Sequence, residues 1–132
     1  MSTKDLEKLD TEKLESFIGA KTDVKGEVNV KGTLRIDGLV HGKVYADCVI
    51  LSESAVIQGD ITAKKITVNG KVEGNLRAQE IAEIKAKGKV MGEIYAPKFS
   101  MAEGGEFNGK IEMKIEEGKV IEYQTKSQGS GL

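Results

Sequence analysis

Residues 40–46, Val-His-Gly-Lys-Val-Tyr-Ala, are the clearest copy of a motif that recurs along the 132-residue chain. In each copy a glycine is flanked, two residues away on both sides, by an apolar residue. The glycines of the six copies are Gly26, Gly42, Gly59, Gly74, Gly92 and Gly109. Successive sequence numbers in this series differ by 16, 17, 15, 18 and 17. So regular a spacing indicates an internal structural repeat of the solenoid type.

The apolar residues within each copy lie two positions apart, which is the period of a β-strand and not of an α-helix. A second, weaker strand such as residues 49–51 (Val-Ile-Leu) fills the rest of each repeat. Hairpins would not make successive segments alike at this interval, whereas turns of a parallel β-helix would. Three strands of about four residues fill one turn, and six turns at about 4.8 Å give a rod of about 25–30 Å. The sequence therefore predicts an all-β, three-sided parallel β-helix of about six turns.

The repeated glycine is predicted to serve the backbone. Its place between two apolar residues fits a position whose side chain, if there were one, would point outward. The same place also suits a corner where the backbone needs a positive φ. A phosphate-binding loop is disfavoured because the chain has no Gly-x-x-x-x-Gly-Lys-Ser/Thr sequence. The polar residues between the apolar positions carry both charges, which is typical of a solvated face.

The composition disfavours several classes of function. With 20 basic and 21 acidic residues, the chain lacks the charge of a typical nucleic-acid-binding protein. A single cysteine and a single histidine provide no internal disulfide and no metal site built from these residues, so we expect neither metal nor cofactor. We interpret His41 as a surface residue and Cys48 as a small buried side chain, and we find no candidate catalytic residue. The chain is therefore expected not to be an enzyme.

An acyltransferase of the hexapeptide-repeat class is the enzymatic alternative, since such chains also form a β-helix of similar repeat length. Those chains place a small residue directly after the aliphatic one. Here the glycine comes two residues after it, and the repeat length varies. This alternative is therefore weaker than a structural or binding role.

Residues 1–16 are expected to form a tail, disordered or marginally helical, ahead of a β-helical domain at residues 17–123. The tail is rich in charge, and Gly19 is expected to end a short helix that includes Phe17 and Ile18. Six acids against four lysines in residues 1–23 do not support direct contact with a membrane.

The other end is expected to continue the repeat briefly and then to become disordered. One further partial turn after Met113 is predicted from Ile115, Val120, Ile121 and Tyr123. Residues 124–132 are polar and rich in Gly and Ser, so we expect a disordered tail. Because no signal peptide and no long apolar run is present, we expect a cytoplasmic protein.

The two ends of such a rod carry the functional inference, because each exposes unpaired backbone groups and apolar core residues. The single proline, Pro97, is predicted at an inner corner and protects neither end. We therefore expect copies to add end to end. The alternative is that residues 1–16 cover one end and leave a capped module that binds a partner protein. The residues predicted to form the polymer interface are Ile18, Val24, Val28, Val30, Phe107, Ile111, Met113 and Ile115.

The chain resembles the bactofilins, the polymer-forming cytoskeletal family of bacteria, over roughly residues 17–115. The resemblance rests on residues 17–28 (Phe-Ile-Gly-Ala-Lys-Thr-Asp-Val-Lys-Gly-Glu-Val) and 34–44 (Leu-Arg-Ile-Asp-Gly-Leu-Val-His-Gly-Lys-Val). It rests also on residues 59–61 (Gly-Asp-Ile), 68–74 (Val-Asn-Gly-Lys-Val-Glu-Gly) and 92–94 (Gly-Glu-Ile). A single Gly-x-Ile sequence is not specific for this family, but the combination of these segments is.

The resemblance implies a right-handed β-helix that polymerises end to end without nucleotide into filaments lacking overall polarity. It implies a scaffold for bacterial cell shape, division or polarity, with cell-wall enzymes or other scaffolded proteins as partners at the inner face of the membrane. Family members often carry an apolar membrane-targeting stretch before the core. Residues 1–8 here lack a cluster of bulky apolar residues, so recruitment through a partner protein is the open alternative.

Overall fold

A computed structural model describes residues 14–114 and 120–121, and within these ranges every regular element is a β-strand. In chain order the strands are β1 (Leu14–Ile18), β2 (Asp23–Asn29), β3 (Thr33–Ile36), β4 (Leu39–Tyr45), β5 (Cys48–Leu51), β6 (Val56–Val68), β7 (Lys71–Ile84), β8 (Lys89–Tyr95), β9 (Lys98–Met101), β10 (Glu106–Lys114) and β11 (Val120–Ile121). The predicted C-terminal tail, and residues 1–13 of the predicted N-terminal tail, lie outside the described residues.

Each turn of the chain has three sides, as the sequence predicted. In the second turn, residues 39–41 form one side, which we call face A, and the chain then bends at Gly42. Residues 43–45 form face B, and the strand Cys48–Leu51 forms face C. The same division recurs in the other turns, because β2, β4, β8, β10 and the first halves of β6 and β7 align on one another.

The turns stack in parallel register, so that equivalent positions of successive repeats become hydrogen-bonded neighbours. One inward-facing column consists of Val24, Val40, Ile57, Val72, Val90 and Phe107. A second ladder, on face C, aligns β1, β3, β5, the ends of β6 and β7, and β9. Six turns result, and the predicted parallel solenoid is confirmed.

Gly42 shows why the motif needs glycine. Val40 and Val44 both point into the core, as residues four apart on a strand do, and the backbone bends between them at Gly42. Gly42 makes this bend with φ at 141°, a value that residues with a side chain rarely adopt. A Cβ at Gly42 would overlap the carbonyl oxygen of Gly26 in the preceding turn, and therefore would not face outward into solvent.

The core is a continuous apolar column that no single turn encloses. Ile57, Ile61, Ile66 and Leu76 are fully buried in the middle turns. Burying one such side chain contributes roughly 1.5–3 kcal/mol, and it depends on the turn above and the turn below. Stability is therefore highest in the middle of the rod, and the two terminal turns are only half covered.

Two local predictions from the sequence are wrong. Phe17 and Ile18 lie in β1, where they pair with β3, and not in a helix ending at Gly19. Val120 and Ile121 pair antiparallel with Lys114 and Met113 rather than beginning a further parallel turn. The remaining residues of that predicted turn lie outside the described part of the chain.

Candidate interaction surfaces

The N-terminal rim consists of the outer edges of β1 and β2. Among the described strands, β1 pairs only with β3, and β2 pairs only with β4, so their other edges face away from the solenoid. Backbone N–H and C=O groups on such an edge can pair with another strand. The four predicted interface residues at this end are half-buried and pack against the core: Ile18, Val24, Val28 and Val30.

Phe17 extends the N-terminal rim outward on face C, and sequence reasoning missed it as a candidate. Its side chain is 56% exposed, and the Arg35 guanidinium carbon lies 5.9 Å from its ring centroid. Arg35 Nε also donates a hydrogen bond of 2.9 Å to Asp37 Oδ1. This bond lowers the pKa of the Asp37 carboxyl, because it favours the charged form. The three side chains thus hold one another in place beside the rim.

The C-terminal rim consists of the outer edges of β9 and β10. Phe107 and Ile111, both predicted interface residues, lie on β10, where they are half-buried and contact the core. Phe99 on β9 stacks above Ala82, and its ring centroid lies 6.1 Å from that of Phe107. The end of the core is therefore closed by two aromatic rings with part of their surface still uncovered.

Met113 is half-buried on β10 and pairs with Ile121 in the short antiparallel ladder, whereas the predicted interface residue Ile115 lies outside the described residues. Within the described chain, β11 pairs only with Met113 and Lys114. Residues 106–112 of β10 pair with β8 on one side, and no described strand pairs with their other side.

Two further rim residues, Phe99 and Met101, could have been found from the register of the sequence repeat. Phe99 and Met101 follow Ala82 and Ile84 by one repeat interval and pair with them in the parallel ladder. Met101 is 47% exposed, although the equivalent residues Ile84 and Val68 are fully buried. Sequence reasoning did not count either of them as a rim residue.

The side chains considered as candidate catalytic or metal-binding groups lie on the outer sides of the solenoid's faces. His41 Nε2 lies 3.8 Å from Asp23 Oδ1 on face A. Cys48 is half-buried on the outer side of face C, so the prediction of a small buried side chain is wrong. Among the described residues, no group of three His, Cys, Asp or Glu side chains is placed to hold a metal ion. In the same ranges no helix is long and apolar enough to cross a membrane.

Comparison with known proteins agrees with this architecture. Residues 16–112 match the family model described as bactofilin, polymer-forming cytoskeletal. The chain is similar to bactofilin BacO of Myxococcus xanthus strain DK1622, with 31% identity over 103 residues that cover 77% of this chain and 82% of BacO. It is 28% identical over 107 residues to bactofilin BacP of the same strain; the match covers 80% of this chain and 45% of BacP.

A solved structure shares the fold. The chain in a cryo-EM reconstruction of Thermus thermophilus bactofilin double helical filaments superposes with a TM-score of 0.67. The two chains are 24% identical, and the match covers 73% of this chain and 96% of the other. This likeness independently supports the three-sided stacking of parallel strands.

Proposed function

The chain belongs to the bactofilin family of polymer-forming cytoskeletal proteins, and we propose that it assembles end to end into filaments through the two rims of its solenoid. Assembly needs no nucleotide, because the contact is made by strand edges and apolar side chains. Like rims meet, N-terminal with N-terminal and C-terminal with C-terminal, and the filaments therefore lack overall polarity. The protein acts as a structural component and not as an enzyme.

The observation that carries the proposal is the combination of a strand edge with uncovered core at each rim. Ile57 and Ile94, in the interior of the two inward-facing columns of faces A and B, are fully buried. Val24 and Phe107, at the two ends of the face A column, are only half-buried. A second rim placed on either end would cover these side chains and pair the strand edges. Both contributions favour association, through burial of apolar surface and through β-strand addition.

The proposed role of the filaments is to serve as a scaffold for bacterial cell shape, division or polarity. Their partners would be further copies of the chain, and cell-wall enzymes or other scaffolded proteins. We place the filaments in the cytoplasm at the inner face of the membrane. Because residues 1–23 hold six acids and four lysines, recruitment there would depend on a partner protein rather than on direct binding to acidic lipid.

The second candidate is a capped β-helical module that binds a partner protein as a monomer. The antiparallel pairing of β10 with β11 favours it, because a returning strand is a way to shield an end. The paired segment is short, since among the described residues β11 pairs only with Met113 and Lys114. We therefore prefer the filament.

The test is to purify the full chain without nucleotide, and to examine it by sedimentation, size-exclusion chromatography and negative-stain electron microscopy. Filaments in the pellet and on the grid are the expected result. Elution at the mass of a monomer, with no filaments over a range of protein concentrations, would contradict the proposal and favour the capped module.

A further inference from the structure

We propose that residues 120–124 form a removable strap on the C-terminal rim, which pairs antiparallel with the outer edge of β10 and must detach before another copy adds there. The inference rests on the proposed end-to-end assembly, because it concerns how often this rim is open to a second copy. The described part of the strap is β11 (Val120–Ile121), and residues 122–124, which lie outside the described residues, follow it directly in the sequence.

The pairing of β11 fixes which residues of the strap and of β10 would lie opposite one another. β11 pairs antiparallel with Met113 and Lys114, and Ile121 is the partner of Met113. Each step forward along the strap is therefore a step back along β10. Continued in the same register, residues 122–124 lie opposite residues 110–112, which form face B at the rim.

Residues 110–112 have an edge that can accept this strap. They pair with β8 on one side, and no described strand pairs with their other side. Backbone N–H and C=O groups on such an edge favour the addition of a further strand. Only residues 115–119 connect the strap to β10, so the strap is present at this edge at a much higher effective concentration than a separate molecule.

The apolar residues of the strap fall on the inward positions of β10. Ile111 points toward the core next to the fully buried Ile94 of the preceding turn, and it is itself only half-buried. Residues directly opposite each other in an antiparallel pair lie on the same side of the sheet, so Tyr123 would cover Ile111. Ile121 lies on the same side two residues earlier, and the residue between them is a glutamate. This alternation is typical of a strand with one apolar face.

The glycine bend of the last turn limits the strap to face B. Thr125 is the residue that would lie opposite Gly109 in this register. Gly109 bends the chain with φ at 149°, a value that residues with a side chain rarely adopt. A threonine is therefore not expected to follow β10 around this corner. The strap would cover the edge on face B and leave Phe107, on face A, available to a second copy.

One pair of residues makes the strap removable. Glu122 would lie opposite Glu112, and like charges directly opposite each other destabilise a strand pair. Glu112 is half-buried, so the repulsion is screened less than it would be between fully exposed groups. The apolar contacts of Ile121 and Tyr123 hold the strap in place, and the two glutamates oppose it.

The strap and a second copy compete for the same edge of β10. While the strap is paired, the backbone groups of residues 110–112 are not available for β-strand addition. The apparent affinity of the C-terminal rim for another copy is then reduced by the fraction of subunits whose strap is open. The strap therefore raises the concentration of subunits at which filaments form.

The test is to assemble filaments from the full chain, to sediment them, and to measure the concentration of protein that stays soluble. Tyr123→Ala removes the contact with Ile111 and should lower the soluble concentration by about two- to five-fold for each strap, the effect of one cross-strand pair. Glu122→Lys places a lysine opposite Glu112 and should raise the soluble concentration by a similar factor. Glu80→Lys, at an exposed position of β7, is the matched control and should equal wild type.

A reversible disulfide tests the register of the strap directly. In a Cys48→Ser background, Lys110→Cys combined with Gln124→Cys places two thiols opposite each other, at a separation that a disulfide can bridge. Oxidation of the soluble protein should form the disulfide within one subunit and raise the soluble concentration. Reduction should return the soluble concentration to its starting value. Lys110→Cys alone is the control and should not respond to oxidation in this way.

Circular dichroism verifies that each variant is folded before sedimentation. The expected shifts in Tyr123→Ala and Glu122→Lys, together with the intramolecular disulfide and its effect, would establish the strap. Tyr123→Ala that sediments like wild type, Glu122→Lys that lowers the soluble concentration, or failure of the disulfide to form within one subunit would overturn the inference and leave end-to-end assembly intact. Absence of filaments in both wild type and Tyr123→Ala would overturn the proposed function itself.

Discussion

The rings of Phe99 and Phe107 lie 6.1 Å apart, centroid to centroid, with an angle of 52° between their planes, at the C-terminal rim of the solenoid. Phe99 stacks above the small Ala82, and Phe107 stacks above Val90. At both positions the side chain at the rim is therefore larger than its equivalent one turn below. These rings and the free edges of β9 and β10 form the surface on which another copy is proposed to assemble.

Phe107→Arg should prevent elongation at the C-terminal rim. A guanidinium there would lose its hydration if a second rim covered it, and two copies would bring like charges together. Sedimentation should shift from a pelleting polymer to a small soluble species. Met91→Arg is the matched control, because Met91 is 51% exposed on the outer side of face A and lies on β8, whose edge is already paired with the rim strand β10. Long filaments of Phe107→Arg, equal in amount to wild type, would count against a contact at this rim.

Truncation of the same column in the middle and at the end should have unequal effects on stability. Ile61→Ala removes a fully buried side chain and should lower the free energy of unfolding by about 2–5 kcal/mol. Ile111→Ala at the C-terminal rim should lower it by about 1–2 kcal/mol, because its side chain is already half-exposed. Urea denaturation in the Phe107→Arg background measures both without interference from polymers. Equal losses would show that the last turn is as well covered as the middle.

Gly42→Ala should be far more destabilising than Gly26→Ala. Both glycines have a positive φ, which costs a residue with a side chain about 1–3 kcal/mol. The added Cβ at Gly42 also overlaps the Gly26 carbonyl oxygen, whereas the one at Gly26 meets no described atom within 4 Å. We expect Gly42→Ala to lose about 4 kcal/mol or more in thermal or urea unfolding. Similar losses for the two variants would mean that φ alone accounts for the motif glycine.

The Arg35–Asp37 pair should contribute to stability in a pH-dependent way. Its hydrogen bond holds the pKa of Asp37 below the ordinary value, so its contribution is present above about pH 4 and is lost as the pH falls through the lowered pKa. Asp37→Asn should therefore cost about 0.5–1 kcal/mol at pH 7 and progressively less as the pH falls below about 4. Thermal unfolding of the two proteins over this range of pH checks this. A constant difference would assign the effect of the substitution to something other than charge.

The repeat spacing was sufficient to predict the fold, because stacking in register requires equivalent residues to recur once per turn. It also placed Val24, Val28, Phe107 and Ile111 at the two ends, where the structure has them half-buried. The prediction that these residues form the polymer interface stays a prediction. The corner at Gly42, one of the two possibilities that the sequence left open, is shown by its φ of 141° and not by the spacing, because residues four apart lie on the same side of a flat strand.

The errors arose where the repeat weakens. Phe17 and Ile18 lie beside a charged leader, and local sequence allowed a helix, but pairing with β3 outweighs that propensity. Val120 and Ile121 have the composition of another turn, yet they return antiparallel to β10.

The most direct test of end-to-end assembly is the direction of the strand spacing in oriented wild-type filaments, measured by fibre diffraction or from electron-microscopy power spectra. Strands that run around the rod should give a reflection at about 4.8 Å along the filament axis. Six turns per subunit should add a repeat of about 29 Å, or twice that where like rims alternate. A 4.8 Å reflection perpendicular to the axis would mean that the solenoids associate side by side, and would contradict the account.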